Sequence, residues 1–124
     1  MLGDQKSNTT VTVKDLNVAA AFYEGVLGLE EISREVGEMI SYRCGASVID
    51  VYRSSFAGSN RGTAITWAVD DIEEVIASLK WKGVIFEHYD MPGLRRQGDL
   101  HIGNNMKTAW FKDPDGNILN LYDQ

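Results

Sequence analysis

Cysteine is almost absent from this chain. Cys44 is the only one in 124 residues, which excludes an internal disulfide and a cysteine-rich zinc site. Histidine is nearly as scarce, since His88 and His101 are the only two and no ligand-type spacing relates them. Long apolar runs are also missing. No stretch approaches the roughly 18 residues that a helix needs to cross a bilayer, and the opening MLGDQKSNTT lacks the apolar core of a signal peptide. The expectation is a cytoplasmic protein with no membrane partner. Positive charge is in deficit, with 12 Lys and Arg against 18 Asp and Glu, and the net charge of −6 repels a phosphate backbone. Arg95-Arg96 is the one basic pair, too small to reverse that repulsion, so nucleic acid is not an expected partner.

The rest of the composition is that of an ordinary soluble globular protein, 44% hydrophobic and 24% charged, of a length suited to one domain. Within it the chain repeats itself. Val48-Ile49-Asp50-Val51-Tyr52 and Ile118-Leu119-Asn120-Leu121-Tyr122 share one pattern of apolar, apolar, short polar, apolar, tyrosine. A second echo lies 56 residues apart, Val13-Lys14-Asp15-Leu16 against Val69-Asp70-Asp71-Ile72. Both halves then read β-α-β-β-β. In the first, a β-branched run over 8–14 favours strand. Asp15 caps a helix whose Leu16, Ala19, Ala20, Tyr23, Val26 and Leu27 form one stripe, and Gly28 ends it. Strands are expected over 29–35, 39–44 and 47–53.

The polar stretch 54–62 links the halves, so module one covers about 8–53 and module two about 63–122. The second module has a strand over 63–69 and a helix starting at Asp70-Asp71 with Ile72, Val75, Ile76 and Leu79 as its stripe. Strands follow over 84–88, 106–112 and 117–122, the last two joined by the turn Asp113-Pro114-Asp115-Gly116. The sixteen residues 90–105, with three glycines and a proline, read as a long lid or binding loop, with a short strand over 100–102 as the alternative. Alternation sorts the faces. Thr9, Val11 and Val13, with Ile65, Trp67 and Val69, make the helix side. Asn8, Thr10 and Thr12, with Ala64, Thr66 and Ala68, make a smaller and more polar side, joined by Ile118, Asn120 and Tyr122.

Two β-α-β-β-β modules, FYEGVLGLE after the first strand and DPDGN before the last together resemble the vicinal oxygen chelate superfamily, which includes glyoxalase I, bleomycin- and fosfomycin-resistance proteins and extradiol dioxygenases. The resemblance runs from about Asn8 to Tyr122. It implies an α+β fold in which two curved sheet halves make a cup. In metal-dependent members four ligands, typically His, Glu, His and Glu, come from the first and last strand of each module. Those positions fall here on Asn8, Asp50, Ala64 and Asn120. Alanine cannot ligate, an amide oxygen is a weak neutral donor, and only Asp50 is anionic, which disfavours a catalytic divalent site of the family type. No cofactor is therefore expected, although Asp50 leaves a divalent metal open.

The resemblance implies a small-molecule binder, of the kind that sequesters an antibiotic or binds a metabolite. Thr108, Trp110 and Lys112 alternate toward the cup, where the Trp110 indole either offers a flat platform for a planar or aromatic ligand or packs the inner sheet. Thr108 and Trp110 with Asn8, Thr10, Thr66 and Asn120 make up the expected ligand wall. Tyr52 and Tyr122 either donate from opposite sides or stand at the rim. Asp50 is open to three roles: general base, partner of a ligand's donor or cation, or a solvated or paired acid, for instance with Arg43 or Arg53. His101 is expected at the surface, or closing over the cup with its loop. The alternative function is a lyase, isomerase or dioxygenase-type enzyme with Asp50 as general base or as sole acidic metal ligand. Relatives of this kind often pair two chains, and unpaired strand edges give a physical motive for a homodimer.

Overall fold

A computed structural model describes residues 1–123 and divides the chain into two compact units, one of residues 1–58 and one from Ser59 onward. The first unit opens with a single 3₁₀ turn, Leu2–Asp4, and then forms β1 (Thr9–Val13) and α1 (Leu16–Ala20). Asp15 caps α1 as its chemistry requires: Oδ1 accepts the N–H groups of Asn17 at 2.8 Å and Val18 at 3.3 Å. The regular helix is shorter than the apolar stripe. From Ala21 to Val26 the coil widens into a π-type segment, with the Leu27 N–H bonded to the Phe22 carbonyl, and Gly25, a poor helix former, lies in it. Tyr23 nevertheless stays fully buried, stacked on Tyr42 at 6.1 Å.

Three strands complete this unit: β2 (Glu30–Glu35), β3 (Met39–Cys44) and β4 (Ser47–Arg53). The sheet order is β1-β4-β3-β2, with β1 parallel to β4 and the other pairs antiparallel. Val11, Val13, Ala19, Tyr23, Ile40, Tyr42, Ile49 and Val51 make its core. Each large apolar side chain among them stabilises the fold by about 1.5–3 kcal/mol. Every residue of the edge strand β2 is exposed.

The second unit repeats the plan with an addition. It contains β5 (Thr63–Ala68), α2 (Ile72–Trp81), β6 (Phe86–Glu87), β7 (Arg95–Gln97), β8 (Leu100–Gly103), β9 (Met106–Lys112) and β10 (Ile118–Asp123). Asp71 caps α2 through the Glu74 N–H at 3.2 Å, and Asp123 accepts the N–H of Ile72 at 3.3 Å. The sheet order is β5-β10-β9-β8-β7, and β6 pairs with the part of β9 that β8 leaves free. Ile65, Ile72, Ile76, Leu79, Phe86, Ala109, Phe111, Leu119 and Leu121 are its buried apolar residues. The turn after β9 is held by Asp113, whose Oδ1 accepts the N–H groups of Asp115 and Asn117, each at 2.9 Å.

Register ties the two units to one design. Thr10 lies opposite Asp50 in the first, and Thr66 opposite Asn120 in the second, both across a parallel pair. Two expectations are corrected here. The strand expected over 84–88 is only Phe86–Glu87, and the sixteen-residue loop contains a hairpin, β7 with β8, in which β8 is the short strand given as the alternative over 100–102 and pairs with β9. Two-residue turns explain it. Gly98-Asp99 joins β7 to β8 with Gly98 at φ +62°, while Asn104 and Asn105, at φ +52° and +59°, join β8 to β9.

Candidate functional site

In the first unit the polar face of the sheet gathers around Asp50. Its Oδ2 accepts from Asn8 Nδ2 at 3.0 Å and its Oδ1 from Ser41 Oγ at 2.5 Å. Thr10 and Ser41 are its direct cross-strand neighbours, and Tyr52, 38% exposed, lies one row along beside Thr12 and Met39. Neither expected arginine pairs with it: Arg43 lies 3.8 Å from Glu30, and Arg53 bonds the Gly37 carbonyl and reaches Glu38 at 3.4 Å. Ser41 was not foreseen. Its signal is positional, because an antiparallel partner of Asp50 becomes visible only once the β3–β4 register is fixed.

In the second unit, strand pairing puts Thr66, Asn120, Trp110 and Glu87 in one row across the sheet and Ala68, Tyr122, Thr108, His101 and Arg96 in the next. A concavity of about 310 Å³ opens on this face, lined by Met91, Leu94, Met106, Thr108, Trp110, Asn120 and Tyr122. Four of these, Thr108, Trp110, Asn120 and Tyr122, were expected. Met91, Leu94 and Met106 were not. Met91 and Leu94 lie in the stretch read as a loop, and nothing in their local sequence marks them as wall residues.

Three polar side chains of this wall, Thr108, Asn120 and Trp110, are bonded within the sheet. Thr108 Oγ1 donates to the Leu121 carbonyl at 2.8 Å. Asn120 Nδ2 donates to Thr108 Oγ1 at 2.7 Å and to the Ala109 carbonyl at 3.0 Å, and Asn120 is only 8% exposed. Trp110 Nε1 donates to Thr63 Oγ1 at 3.3 Å. The indole is further fixed by edge-to-face contacts with His101 at 4.9 Å and Tyr89 at 5.4 Å. The wall therefore offers apolar surface and no charged side chain.

His101 corrects the surface expectation. It is 1% exposed, in β8, with Nε2 accepting the Tyr89 N–H at 3.0 Å, which places the ring proton on Nδ1. That Nδ1 and the Tyr89 hydroxyl are both buried and have no hydrogen-bond partner among the described residues. Burial pushes the imidazole below its usual value. The backbone of Thr108 acts in the opposite sense without reaching hydrogen-bond geometry, and His88 and Arg96 depress the value further. Burial likewise raises the Tyr89 phenol, helped by Glu87 and opposed by Lys112. His88 itself is exposed and bonds Asp99 at 2.8 Å, and Arg96 lies 3.2 Å from its Nδ1. Lys80, 2.8 Å from Asp99, lowers its carboxyl below the ordinary value.

Of the positions corresponding to family metal ligands, Asn8 and Asp50 lie in the first unit and Ala64 and Asn120 in the second. Asp50 is engaged by Asn8 and Ser41, and Asn120 turns its amide hydrogens into the sheet. Ala64 has no donor and no partner on β10, because the register slips by one residue between Ile118 and Leu119. Among the described residues no group of three or more His, Cys, Asp or Glu side chains is arranged to hold a metal ion. Among them, too, no helix is long and apolar enough to cross a membrane.

The chain matches the family model described as Glyoxalase/Bleomycin resistance protein/Dioxygenase superfamily over residues 7–121. No curated protein sequence matches it. Among solved structures it is similar to a glyoxalase family protein from Enterococcus faecalis, with a TM-score of 0.74 and 23% identity over 98% of this chain and 99% of the other. A genomically encoded fosfomycin resistance protein from Listeria monocytogenes gives 0.73 and 19%, covering 98% and 93%. An antibiotic binding protein from Streptomyces sp. CB03234 gives 0.66 and 20%, covering 97% of each. At these identities the likeness is one of fold.

Proposed function

The chain belongs to the glyoxalase/bleomycin resistance protein/dioxygenase superfamily, and from that premise we propose that it binds a small uncharged molecule, planar or aromatic, against Trp110 without a family-type metal. One observation carries this reading: a concavity of about 310 Å³ whose walls are apolar while Thr108, Asn120 and Trp110 bond within the sheet. That volume lies at the small end of the roughly 300–1,000 Å³ typical of ligand pockets. The lining holds no charged side chain to neutralise an anionic substrate. Among similar folds, the antibiotic binding protein is the nearer functional parallel.

The test is a thermal-shift panel of neutral planar compounds beside anionic ones, with metal content measured on the same purified protein. A ligand at 100 times its dissociation constant adds roughly 2.7 kcal/mol. Stabilisation by neutral aromatics alone supports the reading. Stabilisation only by anions, or stoichiometric zinc, nickel or manganese, overturns it.

A second reading keeps an enzyme centred on Asp50, favoured by its 2.5 Å contact with Ser41, a hydroxyl a carboxylate could deprotonate. Each Asp50 oxygen accepts one hydrogen bond and keeps a second lone pair for a substrate proton. Turnover lost in Asp50→Asn with binding retained would favour this second reading. We further propose a cytoplasmic homodimer, supported by the wholly exposed edge strand β2; a monomer at micromolar concentration in light scattering would refute the dimer.

A further inference from the structure

Gly103 ends β8 opposite Met106, and its backbone lies outside the left-handed region, so no φ requirement explains a glycine there. Packing does. A Cβ on Gly103 would fall far inside contact distance of the Gly93 carbonyl oxygen and 2.9 Å from Leu94 Cδ2. The turn from Met91 to Leu94, closed by the Leu94 N–H on the Met91 carbonyl at 3.1 Å, thus rests directly on the backbone of β8. Met91 and Leu94 from that turn, and Met106 from across the hairpin, are the three aliphatic side chains of the concavity.

We propose that Gly103 is a specificity-determining position: it seats the 91–94 strap against the β8–β9 hairpin, so that Met91 and Leu94 form one wall of the concavity and limit the size of the molecule it takes. This rests on the binding reading above. Any larger residue at 103 lifts the strap, because the clash is with backbone at Gly93, which cannot rotate away as a side-chain end can. Truncating Leu94 instead leaves the strap seated and removes part of the wall.

The experiment uses two neutral fluorescent probes, prodan and the larger Nile red, on the whole chain and on Gly103→Ala and Leu94→Ala. The wild type is expected to prefer prodan. Gly103→Ala should weaken prodan by about tenfold or more, the scale of a misplaced methylene in an apolar pocket. Leu94→Ala should shift the preference toward Nile red. Amide hydrogen exchange on ligand-free protein gives a readout that needs no ligand: in Gly103→Ala, residues 89–95 should exchange faster while β9 and β10 keep their protection. If the wild type binds a probe and both variants keep its affinity ratio, the strap inference fails while the binding reading stands. If the wild type binds neither probe, the binding reading fails, and unchanged exchange in Gly103→Ala would sink the strap as well.

Discussion

His101 makes stability respond to pH in a window set by one imidazole. The ring is 1% exposed, its Nε2 is committed to the Tyr89 N–H, and its folded-state pKa lies below the ordinary value, mainly through burial. The unfolded chain then binds the proton more readily than the folded one, so stability rises with pH. The contribution is fully present above the unfolded value of about 6.5 and is lost as pH falls from there toward the folded value. One proton limits the slope to about 1.4 kcal/mol per pH unit. Each kilocalorie corresponds to roughly 3–6 °C in melting temperature for a chain of this size. Asp99, held low chiefly by Lys80, loses its contribution only as pH drops below the unfolded carboxylate range of about 4, so it does not obscure the window. Urea denaturation from about pH 7.5 to pH 5, repeated on His101→Phe, isolates the effect. The variant removes an unpartnered Nδ1–H but orphans the Tyr89 N–H, each worth about 1–3 kcal/mol in opposite senses, so its stability at pH 7.5 should change little. Its pH slope should flatten. A wild type that gains stability on acidification, or a variant with an unchanged slope, would refute the reasoning.

Further outcomes follow from single contacts. Asn120→Asp places a carboxylate 8% exposed against the Ala109 and Leu121 carbonyls, and chemical denaturation should show a loss of roughly 3–5 kcal/mol at neutral pH. Added divalent metal should not restore it, since among the described residues no group of three or more His, Cys, Asp or Glu side chains is arranged to hold one; rescue by zinc or manganese would contradict the donor analysis. Asp15→Ala removes the acceptor for two N–H groups of α1 and should cost about 1 kcal/mol, with Asn at the same position nearly neutral.

Local chemistry made much of this fold legible. Asp15 and Asp71 announce helix starts because their carboxylates cap the amides that follow. Alternation in β9 and β10 puts Ala109, Phe111, Leu119 and Leu121 opposite the cup-facing residues, and all four are buried. What escaped depends on pairing between distant residues. The β7–β8 hairpin was hidden by its glycines and proline, although Gly98-Asp99 and Asn104-Asn105 are the dipeptides that two-residue turns favour. The alternative strand over 100–102 contains His101, but without its pairing to β9 the burial of His101 beside Trp110 stays invisible. The one-residue slip at Ala64 has no sequence signature that we recognise, and Met91 and Leu94 join the wall only because Gly103 lets their backbone approach.

The claim that a small neutral molecule binds against Trp110 is tested most directly by titrating such compounds into ¹⁵N-labelled protein and following side-chain resonances. The Trp110 indole N–H and the Asn120 amide pair should shift in a saturable way, together with backbone amides of Met91, Leu94 and Met106, while the Asn8 side-chain amide beside Asp50 stays put. Saturable shifts centred on Asn8 and Ser41 instead, with Trp110 and Asn120 unmoved, would contradict the account.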